Sequence, residues 1–209
     1  MKTAVIIPAY NEEHTIGDII KAAQEVPFVD EVTVISDGSV DNTVGAAKSC
    51  GARVIALAEN QGKGGAMMVG VNNTDADVVL FLDADLIGLT PGHIVELLLP
   101  VLEDRAEMTV GIFEQGRLAT DLAQFIAPYL SGQRAVRRDL FRHISNLEVT
   151  RFGVEVALTR FAKITGIRVV EVELRDMSHV MKEEKLGLVR GFLARLRMYW
   201  EIAKCVGKG

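Results

Sequence analysis

The sequence contains little cysteine, few aromatic residues and no excess of basic residues. Its 209 residues include two cysteines and one tryptophan, aromatic residues make up 6%, and the formal net charge is −5. Cys50 and Cys205 have no metal-ligand spacing, so they predict reduced thiols in a cytosolic protein and not a disulfide scaffold or a zinc module. The acidic balance argues against a nucleic-acid partner, which would require a basic surface.

Long apolar runs are also missing. No segment approaches the ~20 apolar residues that a membrane-spanning helix needs. The start, MKTAVIIPAYNEE, passes from a short apolar run into a polar turn without a small-residue cleavage site, unlike a signal peptide. We therefore expect a cytoplasmic protein, with peripheral contact to the inner face of a membrane left open.

Short apolar runs alternate with amphipathic stretches along the first hundred residues. This alternation predicts βαβ units with a mostly parallel sheet. The predicted strands are Thr3–Pro8, Glu31–Ser36, Arg53–Leu57 and Asp77–Leu82, and the predicted helices between them are Glu12–Glu25, Asp41–Ser49 and Gly62–Asn73.

The pattern after residue 90 is looser. We predict a helix over Pro91–Leu102 capped by Thr90, strands over Met108–Gly111 and Ile167–Val172, and helices over Ala119–Ala127, Phe152–Ile164 and Leu188–Val206. The sequence contains no obvious linker, so one domain over 1–209 is expected, with two halves, 1–105 and 106–209.

Polar, acidic or glycine-rich residues follow each of the first four predicted strands. Ligands of open α/β sheets bind beyond the carboxyl ends of the strands, so these residues are candidates for binding. Asp83 and Asp85 directly follow a buried strand, and two carboxylates so close repel each other unless a cation or hydrogen-bond donors lie between them. Oxygen ligands predict Mg²⁺ or Mn²⁺. For any single strand end, a helix cap or a turn is an equally good interpretation.

The four segments together resemble a known family. In order and spacing, PAYNEE (8–13), SDGSVDNT (36–43), NQGKGGAM (60–67) and DAD (83–85) resemble the nucleotide-binding half of family 2 glycosyltransferases. The resemblance implies a GT-A fold, which is an α/β fold whose central, mostly parallel sheet is flanked by helices and joined to a smaller acceptor-side half. It assigns 1–105 to nucleotide binding and 106–209 to the acceptor.

The resemblance also implies roles for individual residues of the first half. The base and ribose pocket would be lined by Pro8, Ala9, Tyr10 and Glu12. Asp37 would accept a hydrogen bond from the edge of the base, and Lys63 would contact the diphosphate. Asp83 and Ala84 would lie beside the ribose and the metal, and Asp85 would bind the metal at the catalytic centre. Ser36 departs from the family pattern, which has an acidic residue there, so Asp37 alone would contact the base.

Five further candidate residues, in three separate segments, lie in the second half. Gly132, Gln133 and Arg134, in the segment SGQRA, resemble the acceptor loop of polyprenyl-phosphate sugar transferases. His179 resembles a metal-ligating histidine of glucosyl- and mannosyl-3-phosphoglycerate synthases, although a surface histidine is the alternative. Glu155 would orient or deprotonate the acceptor, or would only stabilise the start of a helix.

The C-terminal helix places Tyr199 and Trp200 on an apolar face flanked by basic residues. Such a face predicts core packing or a homodimer contact, or else a helix on an anionic membrane.

The function expected from all of this is metal-dependent transfer of a sugar from a UDP- or GDP-sugar to a polyprenyl phosphate or a small phosphorylated metabolite. The alternatives are a sugar-1-phosphate nucleotidyltransferase and a non-catalytic nucleotide-sugar-binding protein. A nucleotidyltransferase would carry a glycine-rich, arginine-containing loop where Ala9-Tyr10-Asn11-Glu12 stands.

Overall fold

A computed structural model describes residues 1–113, 131–143 and 154–179 of the protein. The described strands are β1 Thr3–Ala9, β2 Glu31–Asp37, β3 Arg53–Leu57, β4 Val78–Phe81, β5 Leu86–Ile87, β6 Met108–Phe113, β7 Arg134–Arg137, β8 Val169–Leu174 and β9 Ser178–His179. The described helices are α1 Ile16–Gln24, α2 Thr43–Ser49, α3 Gly62–Asn72, α4 Pro91–Leu102 and α5 Val154–Thr165, with a 3₁₀ helix at Arg138–His143.

Seven of the described strands form one sheet in the order β3-β2-β1-β4-β7-β6-β8. Only β7, within this described sheet, runs antiparallel to its two neighbours, and the other pairs are parallel. The predicted mostly parallel α/β sheet is therefore confirmed. The two remaining strands, β5 and β9, pair antiparallel as a separate short ribbon.

Helices cover both faces of the sheet, and alternate residues of the central strands pack into two apolar cores. Ile7 and Leu80 pack with α1 and α4 on one face, whereas Ile6 and Val79 pack with α3 and α5 on the other. Strands that are covered on both faces read as continuous apolar runs, which is why β1 and β4 were visible in the sequence. A Cβ at Gly70 would collide with Ile6, so glycine allows α3 to lie close against β1.

The predicted helix over Pro91–Leu102 and its cap are confirmed. The Thr90 side chain accepts a hydrogen bond from the His93 amide, and Pro91 occupies the first turn. The first helix begins later than predicted, at Ile16, because the residues before it form a loop in which Asn11 has a positive φ of 57°.

The sequence did not predict β5, β7 or β9. Two-residue strands carry no periodic pattern, and β7 has only four residues, two of them arginines. The predicted helices Ala119–Ala127 and Leu188–Val206 lie outside the described residues. Within the described part of the chain, no helix is both long and apolar enough to cross a membrane.

Candidate functional site

The carboxyl ends of β2, β1 and β4 meet at one edge of the sheet. Ala9 pairs with Ser36, and Ile6 pairs with Phe81 on the other side of β1. Because the three strands run parallel, the segments that follow them leave in the same direction. The PAYNEE, SDGSVDNT and DAD segments therefore share this edge, as the sequence predicts.

The loops after β1 and β2 are joined by reciprocal hydrogen bonds. The Asn11 side chain accepts from the Val40 amide at 2.9 Å, and the Glu13 carboxylate accepts from the Asn42 amide at 2.8 Å. Asp41 accepts from the Thr43 and Glu13 amides. Burial alone would raise the pKa of Asp41, but these hydrogen bonds hold it below its usual range. This network fixes the loop that carries Tyr10 and Glu12.

Asp37 links the end of β2 to the start of α3. Its two carboxylate oxygens accept hydrogen bonds from the Gln61 and Gly62 amides, at 2.7 and 2.9 Å. The side chain is buried and supplies acceptors to two amides that have no partner within the helix. Each carboxylate oxygen thus already accepts one hydrogen bond, and the residue is only 3% exposed. The predicted contact of Asp37 with a base therefore stays a prediction.

Lys63 lies between two carboxylates that are far apart in the chain. Its Nζ is 2.5 Å from Asp83 Oδ1 and 2.6 Å from Glu155 Oε1. Burial alone would lower the pKa of Lys63, but the adjacent carboxylates raise it above its usual value. The ammonium is therefore charged at neutral pH, and it joins the first turn of α3 to the DAD turn and to the first turn of α5.

Gly132 lies against this ion-paired cluster. A Cβ at Gly132 would collide with Lys63 Nζ and approach both carboxylate oxygens of Asp83 to 2.6 Å. The predicted acceptor segment and the DAD turn are thus in direct contact. A side chain at position 132 would therefore displace Lys63 Nζ and the Asp83 carboxylate.

Arg134 follows Gly132 and is completely buried. Its Nε donates to the Ser131 carbonyl at 2.8 Å, and one terminal nitrogen donates to Thr159 Oγ1 at 2.9 Å. Burial lowers the pKa of Arg134 to about 10, although the Glu155 carboxylate opposes this change, so the guanidinium stays charged at pH 7. An acceptor could not touch this group in the conformation described here.

The backbone brings His179 next to the DAD turn. His179 pairs with Leu86 in the ribbon of β5 and β9, and Leu86 directly follows Asp85. Gly88, with a φ of 80°, lets this ribbon approach, because a Cβ there would collide with the Asp176 carbonyl. The His179 side chain lies outside the described atoms, so its role as a ligand stays a prediction.

The donor set at this turn suits a hard divalent cation. It includes the carboxylates of Asp83 and Asp85, which are half-buried. The third candidate is His179, whose backbone pairs with that of Leu86. Oxygen ligands with a histidine nitrogen are compatible with Mg²⁺ or Mn²⁺. Among the side chains described, no cluster of three or more metal-ligating groups is assembled.

The other predicted pocket residues line the same edge with different exposures. Tyr10 is 50% exposed, so its ring is accessible for stacking on a ligand. Ala9 and Ala84 are buried, and Pro8 and Glu12 are half-buried. Glu12 also accepts a hydrogen bond from the Thr15 hydroxyl at 3.3 Å.

The profile of Glycosyl transferase family 2 matches residues 4–151. The chain belongs to this family. The match includes all four strand-end segments and the SGQRA segment, so the family assignment rests on the same residues that form the edge described above.

One relative is a glucosyl-3-phosphoglycerate synthase from Mycolicibacterium smegmatis, which is 33% identical to this chain over 122 residues. The match covers 54% of this chain and 40% of the relative. A dolichyl-phosphate beta-glucosyltransferase from Drosophila melanogaster is 41% identical over 101 residues, covering 41% of this chain and 31% of the relative. The matched residues thus span only 31% to 40% of the length of these relatives.

A solved structure extends the similarity over most of the chain. Glucosyl-3-phosphoglycerate synthase from Mycobacterium tuberculosis, in complex with Mn²⁺, UDP and glucosyl-3-phosphoglycerate, superposes with a TM-score of 0.76 at 27% identity. The superposition covers 93% of this chain and 79% of that one. The GT-A fold predicted from the resemblance is thereby confirmed.

One residue of this family 2 site, Thr159, was not among the sequence candidates, and the contacts between the candidates were not predicted either. The bridge from Lys63 to Glu155 joins residues of opposite halves, and Thr159 contacts Arg134 from α5. Spacing along the chain carries no indication of either contact. The family resemblance pointed to Lys63, Arg134 and Glu155 individually, and not to the contacts that join them.

Proposed function

We propose that this chain transfers a glycosyl group from a UDP- or GDP-sugar to a phosphorylated acceptor with the help of Mg²⁺ or Mn²⁺. The observation that carries the proposal is the bridge from Asp83 through Lys63 to Glu155, at 2.5 and 2.6 Å. It joins the donor-side turn, the glycine-rich loop and the acceptor-side helix in one cluster beside Gly132.

The edge of the sheet offers the groups that a nucleoside diphosphate requires. The accessible ring of Tyr10 can stack on a base, and Asp37 lies at the end of β2 on the same edge of the sheet. Lys63, at the start of α3, provides an ammonium that can pair with a diphosphate. These features support a donor with a flat base and a diphosphate.

Asp83, Asp85 and His179 are the residues that would hold the divalent cation. When bound, the cation would supply Lewis-acid stabilisation of charge on the departing diphosphate, worth several kcal/mol. The M. tuberculosis structure contains Mn²⁺ together with UDP, which supports the same requirement in this chain.

Glu155 is the group that we assign to the acceptor. Its carboxylate is buried at the start of α5 and faces Lys63, close to Gly132. A carboxylate in such a position can accept a hydrogen bond from an attacking hydroxyl and orient it toward the donor. The relatives support two acceptor classes, since one is named for 3-phosphoglycerate and the other for dolichyl phosphate.

Turnover tests this proposal directly. The purified chain would be incubated with UDP-glucose or GDP-mannose, Mn²⁺, and either 3-phosphoglycerate or a short-chain polyprenyl phosphate, and glycosylated product would be detected by mass spectrometry. We expect product with one donor–acceptor pair and at least a hundredfold less with Glu155→Gln, since general-base catalysis contributes about 10²–10⁴-fold. Release of pyrophosphate from a nucleoside triphosphate and a sugar phosphate would instead identify a nucleotidyltransferase. Binding of a donor without any product would indicate a non-catalytic protein.

A further inference from the structure

Arg134 is a charged side chain in a fully buried position. It is the largest of the fully enclosed side chains in the described part of the protein. Removing a guanidinium from water costs several kcal/mol unless hydrogen bonds and an opposite charge compensate for it. The hydrogen-bond partners and charges around Arg134 therefore indicate its role.

Those groups connect Arg134 to Glu155 in two ways. A guanidinium only donates hydrogen bonds, so Thr159 Oγ1 must accept from Arg134 and direct its own proton elsewhere. The Thr159 hydroxyl donates this proton in a hydrogen bond to the backbone carbonyl of Glu155, with an oxygen–oxygen distance of 2.8 Å. In addition, the Glu155 carboxylate stabilises the charged form of Arg134.

Charged side chains of alternating sign thus extend from the core to the edge of the sheet. The Glu155 carboxylate raises the pKa of Arg134, Glu155 pairs with Lys63 at 2.6 Å, and Lys63 pairs with Asp83 at 2.5 Å. Arg134 is the buried end of this series. It lies on β7, and its Nε holds the Ser131 carbonyl just before Gly132.

We propose that Arg134 is a positioning residue that acts through Thr159 to hold Glu155 against Lys63, and that it does not bind the acceptor. The inference rests on the proposed function, because it assigns Arg134 to the orientation of the acceptor-side carboxylate. It replaces the expectation from the sequence that Arg134 is an acceptor ligand.

Thr159 allows a test that keeps the buried charge. Thr159→Val removes the hydroxyl with little change in volume, and Thr159→Ser retains the hydroxyl. Arg134→Met removes the charge itself and risks misfolding, so the threonine variants carry the test. Arg137→Met is the matched control, because Arg137 lies on the same strand and pairs instead with Asp139 at 3.1 Å.

Steady-state kinetics with UDP-glucose and the acceptor that gives product distinguishes positioning of Glu155 by Arg134 from binding of the acceptor by Arg134. We expect Thr159→Val to lower kcat about tenfold or more, since a displacement of ~1 Å in a catalytic group can cost ~100-fold. The KM for the acceptor should stay within about twofold, and Thr159→Ser and Arg137→Met should retain the wild-type kcat. Thr159→Val should add nothing in a Glu155→Gln background. A raised acceptor KM with an unchanged kcat, or an unchanged kcat in Thr159→Val, would overturn the inference.

A second measurement does not need turnover. With ¹³C-labelled glutamate, the Glu155 carboxyl resonance can be assigned by its loss in Glu155→Gln. We expect this resonance to move in Thr159→Val and to stay in place in Thr159→Ser and Arg137→Met. An unmoved resonance in Thr159→Val would refute the positioning role. Absence of turnover in the wild type would refute the proposed function, and the resonance would still decide the role of Arg134.

Discussion

Replacement of Lys63 by methionine should leave two carboxylates facing each other without a cation. Asp83 Oδ1 and Glu155 Oε1 each lie within 2.6 Å of Lys63 Nζ, so these oxygens are at most about 5 Å apart. Two unit charges at that separation repel by about 0.8 kcal/mol in a water-like medium and by about 3 kcal/mol at an effective dielectric constant near 20. We therefore expect Lys63→Met to lower the free energy of unfolding by about 1–3 kcal/mol at pH 7.

Urea unfolding at two pH values, with and without Mn²⁺, measures this effect. This loss in the free energy of unfolding should shrink at pH 7 when Mn²⁺ supplies the missing positive charge. Lys48→Met, which removes an exposed lysine from α2, is the control for a simple change in net charge.

In the wild type, the stabilisation by the Lys63 ion pairs is lost in a different pH range. Because the folded-state pKa of Lys63 is raised, its contribution is complete below the unfolded value of ~10.4 and is lost as the pH rises through the folded value. The stability difference between wild type and Lys63→Met should thus be constant from pH 7 to 9. Equal stability of the two proteins at pH 7, or a loss that Mn²⁺ does not reduce, would refute the electrostatic reasoning.

Four further substitutions test other parts of the site. Asp37→Ala should weaken UDP binding and lower the free energy of unfolding by about 1–3 kcal/mol, because two amides of α3 lose their acceptor; calorimetry and urea unfolding measure the two effects. Gly132→Ala should displace the Lys63–Asp83 pair and reduce turnover while the protein stays folded, as kinetics and circular dichroism would report. His179→Ala should weaken Mn²⁺-dependent UDP binding and remove the fall in affinity near pH ~6.5, measured calorimetrically at pH 6 and 8. Asp41→Ala should cost about 1 kcal/mol at pH 7, and because the pKa of Asp41 is lowered, the difference should be present above ~3.9 and vanish in urea titrations as the pH falls through the folded value.

The strands and the helices that follow them could be predicted because local residues determine them. β1 and β4 are continuous apolar runs that are covered on both faces, and α4 begins at a threonine cap followed by proline. The antiparallel strand β7 could not be predicted in this way. Its sequence, Arg-Ala-Val-Arg, is short, and its pairing with Val78–Phe81 joins segments more than fifty residues apart.

The site was predicted as a set of strand ends, and its internal contacts were not. Arginine is rarely buried, so exposure was the reasonable expectation for Arg134, yet the fold places it beneath α5. Asp37 was expected to contact a base or to serve a turn, and the structure shows that it holds the start of α3. Both contacts depend on the packing of one element against another, which spacing along the chain does not encode.

Calorimetric titration of UDP into the protein, in Mn²⁺ and in EDTA, tests the central claim most directly. The claim is that the edge formed by Asp37, Lys63, Asp83 and Asp85 binds a nucleoside diphosphate together with a divalent cation. We expect affinity to be at least tenfold weaker in EDTA, and equally weak in both buffers for Asp85→Ala, whose unfolding should match the wild type. Equal affinity of the wild type in Mn²⁺ and EDTA would contradict the account.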